Sequence, residues 1–172
     1  MRPRHLYLLR HAKSSWDEPA LADRDRPLSK RGRKACALIA EHLRAAAVRP
    51  AAVIVSPAAR TRQTFDLIKG GLPGEPVTWT EPRLYGSDAS TLLELVRELP
   101  DEFSSVMLIG HNPAIQSFGL ILAGDGPDLP RLRRKLPTGA LLTIGFAGPW
   151  PALRPGSAEL ESMVRPKQLQ LG

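Results

Sequence analysis

The chain has 172 residues, 42% of them hydrophobic, with 24 lysines and arginines against 17 acidic residues and a formal net charge of +7. That supplies one core, for a single domain spanning residues 1–172, and leaves two independent domains cramped. It excludes a membrane helix, since no apolar run approaches roughly 20 residues; it excludes a disulfide framework or CxxC site, since Cys36 is the only cysteine; and the apolar N-terminal run is too short for a secretory signal, which leaves a cytoplasmic location as the expectation.

Apolar runs of strand length alternate with segments of helical period, the signature of an α/β domain with a largely parallel sheet. A first strand is predicted over residues 5–9, followed by a polar loop over 12–28. Ser29 then caps a helix whose residues Ala35, Leu38, Ile39, Leu43 and Ala46 share one face, with Cys36 as core packing and Arg49-Pro50 as the stop. Residues 52–55 read as a buried second strand, Ser56-Pro57 as a turn into a helix over 60–68, and residues 77–80 as a short third strand. Leu92, Leu95, Val96 and Leu99 mark another amphipathic helix, residues 105–109 a fourth strand, and residues 114–123 a further helix. Beyond the basic cluster RLRRK (131–135) come a strand over 140–146 and a last one over 160–164.

Ligands of an open parallel sheet bind beyond the carboxyl ends of its strands. Arg10-His11, Ser56 with Arg60, and His111-Asn112 follow three such strands, so two arginines and two histidines converge on one sheet edge. Guanidiniums offer forked donors to phosphate oxygens, and an imidazole serves as nucleophile, acid or base. The natural ligand of this set is a phosphoryl group. A neutral imidazole attacks phosphorus in line while the arginines hold the oxygens, so positioning and electrostatics carry the reaction and no metal or cofactor is invoked.

The segments LLRHAKS, SPAARTRQT and IGHNP, in that order, resemble the signatures of the histidine phosphatase superfamily, and the short chain is most similar to its SixA-type phosphohistidine phosphatases. Agreement runs from residue 6 to about 146. The resemblance implies a three-layer α/β/α sandwich with a largely parallel central sheet, phosphoglycerate mutase-like. It also implies that His11 is the phosphorylated nucleophile, that Arg10 and Arg60 clamp the phosphate, and that His111 is the second pocket histidine. Ser56, Pro57, Gln63 and Thr64 match the second signature and Gly110 and Asn112 the third. Ala12 stands where many members have glycine.

Members that act on alcohol esters carry an acid in the loop after the third strand. The nearest candidate here is Glu81 in TEPRLYG, with Asp88 second. A missing acid would favour phosphohistidine over phosphoserine, because imidazole, with a reference pKa of about 6.5, leaves far more readily than an alkoxide. Lys13 and Ser14 lie next to His11 and are candidate phosphate donors; Trp16 and Asp17 are candidates for the pocket entrance, and Lys135 and Thr138 for a more distant site role. His5 and His42 are assigned to packing or surface.

The expected activity is hydrolysis of a phosphorylated substrate, with a phosphohistidine protein as the implied one. The alternatives are a phosphatase of a small phosphorylated metabolite and a non-catalytic phosphate-binding domain. The net charge also admits acidic proteins and nucleic acid, but only 5% of residues are aromatic and no zinc-finger or RNA-recognition pattern is present, so no nucleic-acid partner is expected; the basic cluster reads as a nucleic-acid patch, a docking site for an acidic protein or, by default, a solvated loop. The sequence is silent on oligomeric state.

Overall fold

Strands that are apolar on both faces have to be covered on both. The computed structural model, which describes residues 1–170, shows how this chain does so. Seven strands, β1 (Pro3–Arg10), β2 (Ala52–Val55), β3 (Val77–Thr80), β4 (Ser105–Gly110), β5 (Ala123–Asp125), β6 (Leu141–Ala147) and β7 (Ala158–Val164), form one sheet in the order β3-β2-β4-β1-β6-β7-β5. The half from β3 to β1 is parallel; β6 runs antiparallel to β1 and β7, and β5 parallel to β7.

Side chains alternate across the pleat. Leu6, Leu8, Ala52, Ile54, Val106 and Leu108 face one core, shared with Leu92 and Val96 of α3 (Ala89–Arg97) and with Ile115 and Phe118 of α4 (Ala114–Leu122). Leu9, Val53, Val55, Met107 and Ile109 face the other, shared with Cys36, Ile39 and Leu43 of α1 (Lys30–Ala45) and Ile68 of α2 (Ala59–Ile68). Each such side chain stabilises the fold by about 1.5–3 kcal/mol on full burial. The result is the three-layer α/β/α architecture with a mostly parallel sheet. Cys36 is wholly buried, and burial pushes its thiol up to about 11.

Several elements differ from the sequence expectation. α1 buries Gly32, Cys36, Ile39 and Leu43, while Ala35 and Leu38 are only half-buried and Ala46 is exposed. The cause is at its first turn: a Cβ at Gly32 would sit 2.1 Å from the Lys13 carbonyl oxygen, so the helix approaches the loop after β1 along its glycine. Ser29 caps it as expected, its Oγ accepting from the Gly32 N–H at 3.0 Å. The helix ends at Ala45, short of Arg49-Pro50, where Ala47 takes a φ of 53°. α4 stops at Leu122, and Ala123 enters β5. The basic cluster is no loop: it falls largely in α5 (Leu129–Arg134), which buries Leu129 and Leu132. A last short helix, α6 (Pro166–Leu169), follows β7.

Candidate active site

In the parallel half of the sheet Arg10 lies opposite Gly110 and Val55 opposite Ile109. The residues one step beyond, His11, His111 and Ser56, therefore emerge together at the carboxyl edge. The ladder continues into them: the His11 N–H donates to Gly110 O and the Ser56 N–H to Ile109 O, each at 3.1 Å. The two imidazoles lie with ring centroids 5.2 Å apart, tilted by 55°.

The backbone after β1 is tied from several sides. The Ala12 N–H donates to Thr64 Oγ1 at 3.1 Å, and that hydroxyl donates to Arg60 O at 2.7 Å. The Gly139 N–H donates to the carbonyls of Arg10 and His11, and Ser29 bonds Lys13 O through both its N–H and its Oγ. Gln63 Oε1 accepts from the Leu28 N–H at 2.8 Å, so the second signature also holds the far end of the polar loop.

His11 is 7% exposed, and its Nδ1 lies 2.7 Å from Ala12 O. A carbonyl only accepts, so Nδ1 carries the proton and Nε2 keeps its lone pair. Burial pushes the His11 pKa down to about 3, with further lowering from His111, Arg60 and Arg10 against the opposing hydrogen bond to Ala12. His111 is lowered to about 4, chiefly by burial and then by Arg60. Its Nε2 lies 2.7 Å from Ser56 Oγ, and its Nδ1 is buried with no partner in the chain. A serine hydroxyl can donate or accept, and the arrangement in which Ser56 donates to Nε2 leaves the proton on Nδ1 as a donor without a partner in the chain. At neutral pH both rings are uncharged.

Arg60, in the first turn of α2, is 8% exposed and is held by one residue: Nη1 donates to Asp23 O at 2.8 Å and Nη2 to Asp23 Oδ2 at 3.1 Å. The same carboxylate accepts from the Tyr85 hydroxyl at 2.7 Å and from Arg26 Nη1 at 3.1 Å. The Tyr85 bond, then Arg60 and Arg26, pull the Asp23 pKa down to about 2. Tyr85 also packs edge-on against His111. Arg10 anchors Nη1 on Leu136 O at 2.9 Å while its Nε is buried without a partner. Its pKa is lowered by burial and by Arg60, so two guanidiniums crowd the same space and impose a strongly positive field on the histidines.

The expected residues divide accordingly. Arg10, His11, Arg60 and His111 come together, with Ser56 behind them. Asp66, on the same helix as Arg60, pairs with Lys69 at 3.6 Å. The Ser14 hydroxyl is taken up by Arg26 Nη2, and the Lys13 side chain is exposed and lines a furrow beside the site. Trp16 is 71% exposed with the Arg26 guanidinium stacked 3.2 Å from its ring centroid.

Glu81 caps the turn at residues 82–84, its Oε2 accepting from the Arg83 N–H at 3.0 Å and its Oε1 from Arg83 Nη2 at 3.1 Å. Partial burial alone would raise its pKa, but the bonds from Arg83 lower it, and a carboxylate kept charged is poorly suited to donate a proton. Asp88 caps α3 through the Thr91 N–H and hydroxyl, which lower its pKa as well. Among the described residues no group of three or more histidines, cysteines or carboxylates is arranged to hold a metal ion. No helix there is long and apolar enough to cross a membrane.

Asp23, Tyr85 and Arg26 escaped the sequence reading. The available signal was the alternation of charge in DRDR (23–26), which reads as a solvated loop until the fold sets it against Arg60.

Comparison with known proteins bears on the family and the fold. The family model for the histidine phosphatase superfamily (branch 1) matches residues 6–105, more than half of the chain. An uncharacterised Mycobacterium tuberculosis protein, Rv1276c, is 33% identical over 163 residues, covering 92% of this chain and all of its own. A structure from Nakamurella multipartitia, provisionally named as the phosphohistidine phosphatase SixA, superposes with a TM-score of 0.82 at 28% identity, covering 96% of this chain and 98% of the other. One from Agrobacterium tumefaciens, provisionally given the same name, gives 0.81 at 29% identity, with coverages of 96% and 99%.

Proposed function

The chain belongs to the histidine phosphatase superfamily, branch 1, and from that premise we propose that it is a phosphatase working through phosphohistidine on His11, with a phosphohistidine protein as its substrate. The observation that carries the reading is the state of His11: buried, with Nδ1 committed to Ala12 O, and neutral at physiological pH among three donors.

In the first half-reaction the Nε2 lone pair of His11 forms a bond to phosphorus as the substrate P–N bond breaks. The substrate ring, protonated beforehand on its second nitrogen, departs as neutral imidazole with that electron pair and needs no further proton. Arg10, Arg60 and the Nδ1–H of His111 surround the equatorial oxygens, where charge is spread in the transition state. In the second half-reaction water attacks phosphorus, the His11–P bond breaks, and inorganic phosphate and the free imidazole are left. A metal is unnecessary in this scheme because the guanidiniums supply the positive charge.

The leaving group decides how far a proton donor is needed. Glu81 and Asp88 are both engaged as caps and held ionised. A site without a poised carboxylic acid suits a leaving group that departs unaided, and imidazole is one. The preference for phosphohistidine rests on this, together with the names given to the two SixA-like structures.

The test is phosphate release, with a chelator present, from a phosphohistidine protein, a phosphoserine peptide and a sugar phosphate, compared with His11→Ala. Release from phosphohistidine that disappears in the variant supports the reading. Faster release from an ester overturns the substrate assignment, and no release from any of the three makes the pocket a phosphate-binding site.

A further inference from the structure

Beside the histidines lies a furrow of about 650 Å³ whose character the phosphatase reading does not use. Its charged lining is Lys13, Arg31, Lys34, Lys135, Arg165 and Lys167, brought together from four separate segments. A second hollow of about 320 Å³ continues it, sharing Lys135, Pro137 and Arg165 and adding Arg131 and Arg134. No acidic residue lines either one. Among the described residues, none of the six cations of the first furrow has a carboxylate within 4.0 Å, and Arg165 Nε is buried without a hydrogen-bond partner. Like charges held this close repel one another, which costs stability unless an anion lies between them.

The furrow also has an apolar floor. Ala35 and Leu38, turned out of the core by the seating of α1, line it together with Pro137 and Pro166. It adjoins the reaction centre directly: Lys13 is two residues beyond His11, and Pro137 and Thr138 lead into Gly139, whose N–H bonds the carbonyls of Arg10 and His11.

We propose that this furrow is the docking site for an acidic stretch of the phosphorylated substrate protein, an inference that rests on the phosphohistidine reading above. A chain of Glu and Asp laid along it meets cations at both walls and packs its aliphatic stems on the floor. Its phosphorylated histidine is thereby delivered to Nε2 of His11. Nucleic acid fits less well, because no aromatic side chain lines the furrow to stack a base.

The experiment compares the full chain with Arg31→Glu/Lys34→Glu, which alters exposed α1 residues outside the catalytic set. Fluorescence anisotropy measures binding of a labelled oligoglutamate and of a single-stranded oligonucleotide of equal charge; turnover is followed with phosphoramidate and with an acidic phosphohistidine protein. The expected result is oligoglutamate binding weakened by salt and roughly tenfold by the double variant. KM for the protein substrate rises to match, with kcat and phosphoramidate turnover unchanged. Oligoglutamate binding equal in both proteins overturns the proposal, as does tighter, variant-sensitive binding of the oligonucleotide. The neutral pair Arg31→Gln/Lys34→Gln serves if charge reversal prevents folding. Peptide binding is read without turnover, so a chain that bound oligoglutamate in the furrow but hydrolysed no phosphohistidine would overturn the substrate reading and leave an acidic-peptide site.

Discussion

Lowering the pH from 7 to 4.5 should destabilise the protein through its two site histidines. His11 and His111 have folded pKa values near 3 and near 4, against an ordinary histidine value of 6.5. Between those limits the unfolded chain binds protons that the folded chain refuses. Stability is therefore complete above about pH 6.5 and falls as pH drops towards the folded values. At pH 4.5 His11 alone has crossed about two pH units of this window, at 1.36 kcal/mol per unit. His111 has crossed nearly the same interval, and with both rings still neutral in the fold at this pH the two losses add to about 5 kcal/mol. Against a typical 5–15 kcal/mol of total stability this is readily measured. Guanidinium unfolding at pH 7, 5.5 and 4.5 should show the loss in the parent chain and a much shallower slope in His11→Asn/His111→Asn. Parallel pH slopes for the two proteins would refute the claim that the fold holds these imidazoles neutral.

Other substitutions probe separate parts of the site. Arg60→Ala removes a guanidinium from the developing charge, and kcat/KM for phosphate release should fall by about 10²–10³-fold; a change below fivefold would show that Asp23, not phosphate, is the true partner of Arg60. Ser56→Ala removes the hydroxyl that orients His111, so kcat should drop roughly fivefold with KM little changed, since one buried hydrogen bond contributes about 1 kcal/mol; equal kcat would dismiss that orienting role. Glu81→Gln should leave phosphohistidine hydrolysis within about twofold, because its carboxylate serves Arg83 and the loop cap. Loss of activity on alcohol esters alone would reinstate Glu81 as the acid. Gly32→Ala drives a Cβ into the Lys13 carbonyl and should cost about 1–3 kcal/mol, a melting-temperature loss of several degrees.

What was legible in the sequence is local in origin. LLRH, SPAAR and IGHNP each place polar residues at the end of an apolar run, and parallel pairing of neighbouring strands turns three such ends into one site. Asp23 could not be read this way, since its partners Arg60 and Tyr85 lie far along the chain and meet it only in the folded structure. The buried face of α1 is set by close backbone approaches, Lys13 against Gly32 and Gly71 against Ala40, which periodicity does not encode. The helix α5 is six residues long and includes a proline, too short for a helical period to stand out among its arginines. β5 has three residues, AGD, with no apolar alternation to mark it.

The place of β1 in the sheet has a consequence for how the molecule is made. It precedes the other six strands in the chain, yet it occupies the middle of the sheet, where Leu8 pairs with Leu108 on one side and Leu142 on the other. Neither neighbour exists until β4 (Ser105–Gly110) and β6 (Leu141–Ala147) have been made, so the nascent protein carries an apolar ribbon with both edges open. The proposed nucleophile, His11, follows that ribbon directly, and its loop is secured in part by Gly139, later still in the chain. The reaction proposed at His11 therefore becomes available only once β4 and β6 have closed on β1, and the onset of turnover during refolding would time that closure.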